Sequence, residues 1–158
     1  MQSGAIKCLI RFQNNFILAS KEHNLIVSII CGQLQRSDFN IIYLDGNYTD
    51  FSMEGKTIPP KIIKHRPDII AENNEGSFCI GEAKTQSDLF SERTKTQFID
   101  FLSFVCINKK NRFIIGIPKG SILILNKLLS NLEIINHPQI CIIQVPNFLL
   151  KSENEEEI

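Results

Sequence analysis

The chain has 158 residues, 43% of them hydrophobic, and its 17 basic and 17 acidic side chains cancel at neutral pH. That size and apolar content predict one globular domain with its own core over residues 1–150, followed by an acidic tail. No apolar run reaches the about 18 residues of a membrane helix, and Arg11, Gln13, Asn14 and Asn15 interrupt the first apolar stretch before it reads as a secretory leader.

Residues 5–18 are apolar without a clear period and fit a strand or a helix equally. Ser20 is an N-cap for a helix running to about Leu34, ended by the cluster Arg36-Ser37-Asp38. At about 100° per residue, Ile26, Ile29 and Gln33 gather around the direction of Glu22. Glu22 is therefore expected on the apolar face, where a carboxylate needs a partner; an exposed first-turn Glu serving the helix dipole is the plainer alternative. His23 is expected to point away, into solvent. Asn40 to Leu44 reads as a strand closed by the turn Asp45-Gly46-Asn47. Residues 47–66, with Gly55 and Pro59-Pro60, read as a long irregular connection that either holds substrate or simply wanders. Asp50 lies in it with no fixed direction.

Ile69-Ile70-Ala71 reads as a strand, Glu72 to Gly76 as a turn, and Ser77 to Lys84 as the returning partner. With about five residues in the connection, Asp68 falls opposite Glu82 with Cβ atoms about 5 Å apart. Lys84, two positions further on, shares that face. Carboxylates held so close repel each other, and a divalent cation is the usual remedy. A salt-bridged, half-exposed strand pair is the alternative.

A long helix is expected from Ser87 or Asp88 to Lys109-Lys110, with Phe98, Phe101, Leu102 and Val105 as its buried stripe. Gln97 lies about 90° from the stripe's centre and one turn from Arg93, at the border of the packed face. There it either reaches into a neighbouring cleft or serves as an ordinary boundary residue. Arg112 to Ile117 reads as a strand, Lys119 to Leu132 as a helix, and Ile140 to Val145 as a last strand stopped by Pro146. Strand, helix, strand, helix, strand in that order requires parallel crossovers after the antiparallel hairpin. The expected class is therefore α/β, a mixed central sheet flanked by helices.

Pro67-Asp68, thirteen residues, and then Glu82-Ala83-Lys84 sit on adjacent predicted strands, with a long helix carrying Gln97 behind them. Together they resemble the PD-(D/E)XK nuclease superfamily over residues 20–117. The resemblance implies a restriction-endonuclease-like core and a Mg²⁺-dependent endodeoxyribonuclease of restriction, defence or repair type. It further implies that Asp68, Glu82 and the backbone carbonyl of Ala83 hold Mg²⁺, for which Mn²⁺ substitutes, and that Lys84 acts on the attacking water or the developing oxyanion. Gln97 would complete the site, and Glu22 is the position where family members supply an extra metal-binding or organising carboxylate. Cutting both strands of DNA takes two sites, so a homodimer or a partner subunit is expected. The other function weighed is a nuclease-fold DNA-binding or structural subunit, inactive alone.

Charge and cysteine usage bear on the partner and the compartment. The last eight residues carry one lysine and four glutamates; without them 17 basic and 17 acidic side chains become 16 and 13, a surplus of +3. Lys56, Lys61, Lys64 and Arg66 approach Asp68 with no intervening acid, which suits a phosphate backbone or an ordinary solvated loop. The five cysteines stand singly, with no C-x-x-C spacing. They predict reduced, packed thiols and a cytoplasmic setting.

Overall fold

The computed structural model describes residues 21–45 and 57–151 of the chain. The apolar segment 5–18, Ser20, the Gly46-Asn47 half of a predicted turn, Asp50 and the acidic tail beyond Lys151 lie outside the described residues.

A helix covering residues 21–36 (α1) leads into strand β1 (Phe39–Leu44). The hairpin β2 (Ile69–Asn73) and β3 (Phe78–Ala83) follows, then helix α2 (Glu92–Val105) and strand β4 (Arg112–Pro118). Helix α3 (Ile122–Asn131), strand β5 (Ile140–Val145) and a short turn of helix α4 (Asn147–Leu150) complete the described fold. Among the described residues the strands form one sheet in the order β1-β2-β3-β4-β5. The first three are antiparallel neighbours, and β3, β4 and β5 run parallel. The fold is α/β with a mixed sheet between helices, as the order of sequence elements required.

Alternation along the strands divides the core into two layers. On one face Ile41, Leu44, Ile69, Ala71 and Cys79 pack against Ile26, Val27, Ile30 and Leu34 of α1. On the other, Ile70, Ile80, Phe113 and Ile115 meet Phe98, Phe101 and Val105 of α2 and Leu125 and Leu129 of α3. Phe113 receives Phe98 and Phe101 edge-on, with ring centroids 5.5 and 5.9 Å away. Ile41 and Leu44 are three residues apart yet share the α1 face because a register shift between Ile41 and Tyr43 resets the alternation.

α1 lies directly over Gly81 and Gly116, near the ends of β3 and β4. A Cβ on Gly116 would stand 2.6 Å from Ile26 Cγ2 and 2.8 Å from Ile30 Cδ1. Gly116→Ala is therefore expected to destabilise the fold by about 1–3 kcal/mol by pushing α1 off the sheet. Urea unfolding checks it, and a variant of unchanged midpoint would contradict this packing.

The long predicted helix proves to be two pieces. The Asp88 carboxylate accepts from the backbone N–H and hydroxyl of Thr85, holding a 3₁₀ turn at Asp88–Phe90. Ser91 is extended and restarts the chain as N-cap of α2, its hydroxyl accepting from the Thr94 N–H. α2 also stops at Val105 rather than near Lys110. Buried Gln139 donates to the carbonyls of Val105, Asn108 and Asn111, taking over acceptors that another helical turn would have used.

The described part of the connection into β2 begins at Thr57. Ile62 and His65 form a two-residue hairpin bridge, with backbone bonds of 2.7 and 3.1 Å. Ile63 occupies its first central position at φ 56°, a left-handed conformation that costs a β-branched residue about 1–2 kcal/mol.

Candidate active site

The β2–β3 register pairs Ile69 with Gly81, and one further step sets Asp68 opposite Glu82 at the open end of the hairpin. Here the antiparallel ladder gives way to side chains. The Asp68 N–H donates to Glu82 Oε2 at 3.1 Å, and Asp68 Oδ2 accepts the Ala83 N–H at 2.8 Å. The Lys84 N–H continues the parallel ladder by donating to the Gly116 carbonyl. Ala83 thus directs its own N–H and C=O away from β4, on the Asp68 side.

Glu82 and Lys84 have the parity of Ile80 and so face α2. Lys84 Nζ donates to Glu82 Oε1 at 2.7 Å and to Gln97 Oε1 at 2.8 Å, and Gln97 Nε2 donates to Glu82 Oε1 at 3.3 Å. Gln97, expected at the border of α2, is buried in this network. Glu82 is 3% exposed and Lys84 7%. Burial and then the Asp68 charge push the Glu82 carboxyl up to about 7, against the opposing pull of Lys84.

These groups line a cavity of about 260 Å³, walled by Asp68, Glu82, Ala83, Lys84 and Gln97 and reached by Arg66 and Arg93. That exceeds several-fold the about 30 Å³ a water occupies in the liquid. Among the described residues, no three or more His, Cys, Asp or Glu side chains are arranged to hold a metal ion. The oxygen donors are two carboxylates and a backbone carbonyl. Such a set suits a hard cation that keeps several waters, as Mg²⁺ does, rather than Zn²⁺. The Asp68 charge, second to burial in raising the Glu82 pKa, also fits a cation between the two carboxylates. The described bonds to the Asp68 carboxylate fall on Oδ2, from Ala83 and from His23.

His23 corrects the sequence reading. It lies in the cavity wall with Nε2 3.2 Å from Asp68 Oδ2. Burial disfavours its charged form, but the Asp68 hydrogen bond and the charges of Asp68 and Glu82 outweigh that and hold its pKa above the ordinary 6.5. Glu22 is placed nearer the plainer of its two readings, towards the outside of the site. It is not among the residues lining the cavity and borders a neighbouring groove with Thr85, Gln86 and Ser87, where burial and then Asp88 raise its pKa. The reason is rotational. The stripe that packs on the sheet is Ile26, Val27, Ile30, Cys31 and Leu34, whose centre lies about 110° round from Glu22 and within about 10° of His23. Asp45 also lines the cavity, its N–H donating to the Asp68 carbonyl. Its place at the end of β1 was legible; its proximity to Asp68 needed the β1–β2 pairing.

Cys31 and Cys79 are packed thiols, with burial holding Cys31 up to about 12 and raising Cys79 too. Cys106 and Cys141, expected to be packed, are exposed; all four are free. No helix among the described residues is long and apolar enough to cross a membrane. No protein-family model, no curated protein and no solved structure matches the chain.

Proposed function

We propose that the protein is a metal-dependent phosphodiesterase, an endodeoxyribonuclease of the PD-(D/E)XK kind that the sequence resembles. The observation carrying this reading is the convergence of Asp68, Glu82, Lys84 and Gln97 in one cavity with Arg66 and Arg93 at its wall. Asp68, Glu82 and the Ala83 carbonyl would hold Mg²⁺, which when bound supplies charge to the scissile phosphate and acidifies a water. Ala83 N–H holds Asp68 Oδ2 in place, and the Asp68 N–H does the same for Glu82 Oε2. Gln97 and Glu82 keep the Lys84 ammonium inside the cavity, where a buried positive charge stabilises a developing oxyanion. Arg66 and Arg93 suit the phosphates on either side of the scissile bond.

Two sites are needed to cut a duplex, so we infer a homodimer or a partner chain. The free thiols support a reducing, intracellular setting. The direct Glu82–Lys84 ion pair favours a second reading, a subunit that binds DNA and becomes active only in a complex. Plasmid DNA with Mg²⁺ or Mn²⁺ tests both. Wild-type protein is expected to nick or linearise it, and Asp68→Ala and Lys84→Ala to lose that activity. Cleavage by both variants would remove these residues from the reaction; binding without cleavage by the wild type would select the second reading.

A further inference from the structure

The Ile62–His65 hairpin beside the cavity is built in a way that its role as a connection does not require. Its tip, Ile63, is 67% exposed and sits at positive φ in the first central position of a two-residue turn, a place that favours glycine. Other aliphatic side chains among the described residues are more exposed, Ile107 at 78% and Leu123 at 79%; Ile63 differs in combining exposure with a strained backbone.

The hairpin is also pinned. His65 Nδ1 lies 2.8 Å from Asp100 Oδ2, His65 Nε2 lies 3.3 Å from the Thr96 hydroxyl, and the Lys64 N–H donates to the same Asp100 carboxylate. These bonds tie it to the middle of α2, the helix that delivers Gln97 and Arg93 to the cavity. Charge surrounds the tip. Lys61, Lys64 and Arg66 are exposed, whereas the nearby acids are engaged, Asp100 by His65 and Glu92 by Lys95. Arg66 lines the cavity, while Ile63, Lys64 and His65 line the groove on the other side with Ile99 and Leu132. The hairpin is thus a rigid, basic ridge with an apolar point, at the edge of the site where a phosphodiester would be cut.

We propose that this ridge is a DNA-reading element in which Ile63 enters the minor groove of the duplex as a wedge against a base step while Lys61, Lys64 and Arg66 hold the flanking phosphates. Resting on the nuclease reading above, it names duplex DNA as the occupant. A basic ridge complements paired phosphate backbones, and an apolar side chain at its crest matches the way wedge residues open base steps. Pinning to α2 gives the wedge its function: a mobile loop would yield rather than unstack bases.

The test is binding of a short duplex carrying 2-aminopurine, in an Asp68→Asn background that leaves the DNA uncut, with and without Ile63→Gly. Glycine suits the backbone at this position, so the variant is expected to melt at the same temperature or higher. It should bind about tenfold more weakly, with an unchanged salt slope and without the fluorescence rise of an opened base step. Lys61→Ala with Lys64→Ala should instead flatten the salt dependence by about two phosphate contacts. Equal affinity of parent and Ile63→Gly, or a Gly variant whose loss lies wholly in the salt slope, would overturn the wedge and leave the nuclease reading standing. A parent that binds no duplex at all would overturn both.

Discussion

Replacing Glu82 by Gln, which keeps the shape of the carboxyl without its charge, is expected to abolish cleavage while sparing stability, because the raised Glu82 pKa shows that the folded protein favours a neutral group there even beside Lys84. The reverse substitution, Lys84→Met, should behave differently. Glu82 already titrates at about 7 with Lys84 beside it, and losing Lys84 raises that value further. At acidic pH the carboxyl simply takes up a proton and little stability is lost; the cost then grows as the pH rises through the new pKa. Replacing both, as Glu82→Gln with Lys84→Met, should recover most of what Lys84→Met loses in alkali, since no buried charge remains at that pair. All three are expected to lose about 10²–10³-fold or more in cleavage rate. Urea unfolding over a pH series and plasmid cleavage give the two readouts. A Glu82→Gln protein several kcal/mol less stable than wild type would show instead that Lys84 requires an anion beside it, and that the neutral acceptor on Gln97 does not suffice.

Asp68→Asn should separate function from stability in the opposite sense. Asp68 raises the Glu82 pKa, and Asn still offers an oxygen to the Ala83 N–H. In the wild type, folded Glu82 titrates above its ordinary 4.5. Its stabilising protonation is therefore complete below the unfolded pKa and lost as pH rises through about 7. His23, also raised, acts in the same direction. Wild-type stability is thus expected to fall from mildly acid to mildly alkaline pH. Asp68→Asn should reduce that fall and raise the melting temperature by about 2–4 °C at about pH 8, while abolishing cleavage. Mg²⁺ offers a second view of the same charge. It should raise the wild-type melting temperature more in alkali than in acid, where the Glu82 proton competes with it, and should do little to Asp68→Asn. A Mg²⁺ shift of equal size in the two proteins would place the ion somewhere other than between Asp68 and Glu82.

Local sequence carried the hairpin well. Ile69 to Ala71, a turn ending in Gly76 and a return to Lys84 leave one sensible register, because a slip by a single residue would turn Ile70 and Ile80 out of the α2 layer. That register sets Asp68 opposite Glu82. The helices were less legible. Ser91 looked like one more polar residue within a long periodic run, and its extended conformation depends on Asp88 folding back onto Thr85. The end of α2 depends on Gln139, more than thirty residues away in sequence, which donates to the carbonyl of Val105, its last residue, and to those of Asn108 and Asn111 beyond it. Neither signal is periodic, so neither can be read from a window.

The amino-acid sequence by itself determined the α/β class, the strand order in chain terms, the hairpin and the parity that puts Glu82 and Lys84 on one face, because periods of two and 3.6 are local properties of backbone geometry. What only the tertiary structure decided is which arc of α1 meets the sheet. Its wheel carries apolar side chains over a wide angle, and the choice among them was made by Gly81 and Gly116, whose bare backbone admits Ile26 and Ile30. That rotation carries His23 to Asp68 and leaves Glu22 outside the cavity, since helix facing is settled by complementary packing with a distant surface rather than by the helix's own pattern.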